Sequence, residues 1–205
     1  MKKLHILFVC FCITIMADNN TTNKLDIPKK EIKMKFTYSE QWRDELLKHA
    51  SNEGITRDET GKFIDLILMA DDTNDEKVIY ALIQTLVISK CDLGGVEETV
   101  LSTLASTDYK AYYNVLFRDI PKILKSEDKG LAVLLLDRGY NGHTFTSKEW
   151  SVIENLANKY LSKDILVVLL QLMENNRYFD LEDEDYPFPQ FYKLFQKLLK
   201  EKSEQ

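Results

Sequence analysis

The sequence predicts an all-α protein: a single domain of about eight to ten helices, packed as antiparallel hairpins in a bundle or a HEAT-like stack. Three observations lead there. The pattern Thr-x-x-Glu, which caps a helix when the two side chains bond each other's exposed backbone N–H groups, occurs at Thr37/Glu40, Thr56/Glu59, Thr73/Glu76 and Thr146/Glu149. Each occurrence is followed by apolar residues at helical spacing. No run alternates polar and apolar residues with period two over a strand's length, and residues 34–38 are the one strand candidate.

Taken in order, the stripes are these. Trp42, Leu46 and Ala50 mark a first helix, and Phe63, Leu66, Ile67 and Ala70 a second. Val78, Ile79, Leu82, Ile83 and Leu86 make a third, and Val96, Val100, Leu101 and Leu104 a fourth. Thr107 or Asp108 caps a fifth, whose face includes Tyr109, Tyr112, Tyr113 and Leu116. Pro121 lacks the N–H a helix interior needs, so the reading places it in the first turn of a new helix after Asp119. Further helices are expected over about 127–138, closed by Gly139, then 147–161, 163–175 and 189–201. The segment ILVVLLQLM at 165–173 is apolar nearly all round and reads as a central core helix, with Val167 and Leu170 inside.

Composition narrows the function. The 205 residues carry 27 basic and 33 acidic side chains, a net charge of −6, and no block of lysines or arginines. Such a chain repels phosphate backbones, which speaks against a nucleic-acid partner. Residues 1–17 read as a secretory signal peptide: Met1-Lys2-Lys3, an apolar run from Leu4 to Met16, then Ala17 before a polar stretch. The run is too short to span a bilayer comfortably, so no stable membrane span is expected after its removal, and the location expected is periplasmic or secreted. The alternative is a cytoplasmic protein whose translation starts at Met34. Loss of residues 1–17 removes Lys2 and Lys3 and leaves 25 basic against 33 acidic residues, a net −8. It also removes Cys10 and Cys12 and leaves Cys91 alone, so no internal disulfide is expected. Residues 18–35, polar and holding Pro28, read as a flexible linker to a helical domain over 36–205.

Signs of chemistry are few. The histidines are His5 in the leader, His49 on a helix expected at the surface, and His143 in the loop YNGHTFTS. There is no His-Glu-x-x-His, Cys-x-x-Cys, Gly-x-Ser-x-Gly or phosphate-cradling glycine loop, so neither catalytic residues nor a cofactor or metal site is expected. The run Asp71-Asp72-Thr73-Asn74-Asp75-Glu76 lacks the glycine turn and distal glutamate of a calcium loop and reads as a helix cap with solvated acids.

One stretch carries a resemblance. Asp71-Asp72 through VIYALIQTL, then TLASTDYKAYYNVLFRDIPKIL and LLLDRGYN, is similar to immunity proteins of bacterial polymorphic-toxin systems, in particular the immunity protein 30 family. In that pattern an acidic pair precedes a helix, and a tyrosine-rich helix, a proline and an Arg-x-x-Asn close follow. Tyr112, Pro121, Arg138 and Asn141 match it, and the likeness covers roughly residues 60–142. It implies a protein that binds and neutralises a cognate toxin without catalysis. The alternative is an exported helical adaptor.

Two partner-binding regions are expected. In RYFDLEDEDYPFP, the acids Asp180, Glu182, Asp183, Glu184 and Asp185 stand among Tyr178, Phe179, Tyr186 and Phe188. They can steer towards, and anchor on, a toxin with a basic surface. Tyr112 and Tyr113 are the second candidate, with half-buried core tyrosines as the alternative reading.

Overall fold

The computed structural model describes residues 36–89, 95–138, 145–175 and 187–204. The expected leader and linker, together with Cys91, Gly139, Asn141 and His143, lie outside these. The described residues hold nine α-helices and no strand. They are α1 (Glu40–Ala50), α2 (Arg57–Leu68), α3 (Glu76–Ile88), α4 (Gly95–Ala105), α5 (Tyr109–Ile123), α6 (Leu131–Arg138), α7 (Ser147–Tyr160), α8 (Lys163–Asn175) and α9 (Pro187–Ser203). No described helix is long and apolar enough to cross a membrane.

Packing alternates between two rows. Helices α1, α3, α5 and α7 stack in sequence, as do α2, α4, α6 and α8, while α1/α2, α3/α4 and α5/α6 form hairpins. Of the two arrangements expected, a bundle or a stack of helix pairs, this is the stack. Helix α9 then packs on α8 and α6.

Two of the four expected capping boxes form. Thr56 and Thr146 each accept the N–H of Glu59 or Glu149, and each glutamate accepts the threonine's own N–H in return. The other two give way. Helix α1 is capped by Ser39, which accepts from the N–H of Trp42 at 3.1 Å, and α3 by Asp75, which accepts from Lys77 N–H at 2.9 Å. Thr73 instead accepts the N–H of Asp75. The reason lies in where the helices start: with Ser39 and Asp75 as caps, Glu40 and Glu76 stand at the first helical position and not at the third, where a capping box needs them. Glu40 instead contacts Arg43 and Tyr38, and Glu76 contacts Arg118 and Asn114. Removing a working cap costs about 1 kcal/mol. Ser39→Ala, Thr56→Ala and Thr146→Ala are therefore expected to lower stability by about that much, whereas Thr37→Ala stays within about 0.5 kcal/mol of the parent in urea titrations.

Two expectations about the interior are corrected. Pro121 lies inside α5, not at the start of a new helix. So near the C-terminal end the proline forfeits one ladder bond only, and the Leu124 N–H donating to the Ile120 carbonyl at 2.9 Å carries the turn onward. The next helix accordingly begins at Leu131, after Gly130 donates its N–H to Asp128. The central helix is α6, not α8: Leu131, Ala132, Val133, Leu135 and Leu136 are all buried. It packs against α4, α5, α8 and α9, whereas α8 ends its row and buries one stripe, Leu166, Leu169, Leu170 and Met173. Val167 and Val168 are half-buried.

The acidic pair before α3 has a structural task. The Ser106 hydroxyl donates to Asp71 Oδ1 at 2.7 Å, the Asp72 N–H donates to Ser106 Oγ at 3.2 Å, and the Asp108 N–H donates to the Thr73 carbonyl. These bonds fasten the α2–α3 turn to the α4–α5 turn. Asp72 holds a φ of 57°, a left-handed conformation aspartate tolerates better than most residues.

Candidate protein-binding groove

The tyrosines of α5 face inward. Tyr112 and Tyr113 are fully buried, and their hydroxyls donate to the carbonyls of Leu135 at 2.7 Å and Leu136 at 3.4 Å. Those carbonyls belong to the last turn of α6, where a helix has no N–H groups of its own left to satisfy them. The two phenols thus act as a C-terminal cap delivered from a neighbouring helix. Side chains so placed have no surface to offer a partner, and the expectation that they anchor one is corrected in favour of the core reading. Phe188 is likewise buried, among the residues of α9. Tyr178, Phe179, Asp180, Glu182, Asp183, Glu184, Asp185 and Tyr186 lie outside the described residues. His49 stacks on Phe63 with ring centroids 5.6 Å apart.

A different surface brings charged and aromatic side chains together. Across α1, α3 and α5 runs a groove of about 440 Å³. Tyr38, Glu40 and Arg43 contribute from the first helix and its lead-in. Glu76, Lys77 and Tyr80 contribute from α3, and Arg118 and Lys122 from α5. The stack creates it. Consecutive members of one row present outward positions spaced by three or four residues, so Glu40/Arg43, Glu76/Tyr80 and Arg118/Lys122 line up side by side.

The side chains hold one another in place. Glu76 pairs with Arg118 at 3.1 Å and accepts from the Asn114 amide at 2.6 Å, tying α3 to α5. Glu40 pairs with Arg43 and accepts from the Tyr38 hydroxyl at 3.0 Å. The Lys77 ammonium lies 5.3 Å from the centre of the Tyr38 ring, and that of Lys122 lies 5.1 Å from Tyr80. Beneath Lys122 sits Asp119, only 1% exposed, with its Oδ2 accepting from Gln84 at 2.8 Å. The Lys122 ammonium stands 2.8 Å from Oδ1 as its ion-pair partner. A buried carboxylate needs such a counter-charge.

Protonation states follow from these contacts. Asp119 beside it raises the pKa of Lys122 above the ordinary lysine value. A group raised in the folded state contributes stability below its unfolded pKa and loses it as pH rises through the folded one, here in strongly alkaline solution only. Hydrogen bonding to Asp44 likewise raises Arg43, and burial, followed by the bond to Glu40, raises the Tyr38 phenol. The groove is lined by four basic side chains, two acidic ones and two tyrosines.

Sequence reasoning missed this surface because it assigned Glu40 and Glu76 to caps and gave Tyr80, Arg118 and Lys122 no role. The signal was present in the outward i, i+4 pairs of helices that the stack places side by side. Among the described residues, no three His, Cys, Asp or Glu side chains are grouped to hold a metal ion. Comparison of the chain with family models, curated proteins and solved structures finds no match.

Proposed function

We propose that this protein is a binding protein without catalysis of its own, and specifically an immunity protein that engages and neutralises a cognate bacterial toxin. The observation that carries the binding reading is the groove across α1, α3 and α5. It lies on regular helices and holds two tyrosines and two arginines, side-chain types that dominate the energetics of protein interfaces. Glu40 and Glu76, each the first residue of its helix, make contacts within the groove. The toxin as partner comes from the likeness of residues 60–142 to immunity proteins. Export through residues 1–17 belongs to the same proposal.

Co-expression tests it. The product of the gene immediately upstream, if toxic when expressed alone, is expected to be harmless beside this protein and to co-purify with it. Growth arrest that persists despite a soluble, folded chain contradicts the immunity role and favours the exported adaptor.

A further inference from the structure

We draw no further inference here: the strongest candidate, the exposed pair Leu68 and Met69 at the C-terminal end of α2, is an apolar patch of two side chains, and nothing in the structure shows what covers it.

Discussion

Phe191→Ala is expected to destabilise the protein by about 3–5 kcal/mol, the range for deleting a large aromatic side chain from a packed core. Phe191 is fully buried, and its ring lies 5.4 Å from Tyr113 of α5, 5.0 Å from Trp150 of α7 and 5.9 Å from Phe195 on its own helix. It is thus the point at which α9 engages two members of the odd row, in addition to its packing on α8 and α6. The polar links beside it, Lys197 to Glu154 and Lys202 to the Asn158 carbonyl, lie in exposed positions and cannot replace that packing. The alanine also strips a ring neighbour from Tyr113, whose hydroxyl helps cap α6, so the loss reaches the central helix. Urea denaturation monitored by circular dichroism reads the change. A loss under about 1 kcal/mol would mean that α9 is a peripheral addition to the stack.

The second large effect distinguishes the two apolar helices. Leu135→Asp is expected to leave no folded protein, because an unpaired carboxylate in the centre costs several kcal/mol, comparable with the whole stability of a domain of this size. Val167→Asp is expected to fold, with a loss of about 1–2 kcal/mol, since the half-buried face of α8 lets the carboxylate reach water. Soluble expression and thermal melts of the two variants measure this directly. The reverse ranking would place α8, not α6, at the centre.

That pair also marks the limit of what composition reveals. LAVLLL and ILVVLLQLM are equally apolar, and periodicity alone cannot say which is surrounded; the order of packing says it, and order is a property of the assembled rows. The all-helical class and the bounds of α7 and α8 were legible because their signals are local: the Thr146 box, and a continuous apolar run between polar flanks. Pro121 misled because a proline near the end of a helix forfeits little, so it need not begin a new one. Thr37 and Thr73 misled because each has a competing cap close by. Ser39 and Asp75, two residues further on, cap the helices instead, which moves Glu40 and Glu76 out of the third helical position. Tyr112 and Tyr113 could be read as anchors or as core, and it was the carbonyls of α6, supplied by the fold, that decided it. The groove was hidden for the same reason, being assembled from three helices that only the stack brings together.

The central claim is that a protein partner lies across α1, α3 and α5. A photo-crosslinking amino acid at Tyr38 tests it most directly, with the same group at Gln171, exposed on α8 in the other row, as the comparison. In cells co-expressing the partner, irradiation is expected to yield a covalent complex from position 38 and none from position 171. A complex formed from position 171 and not from position 38 would contradict the account and move the binding surface to the opposite row.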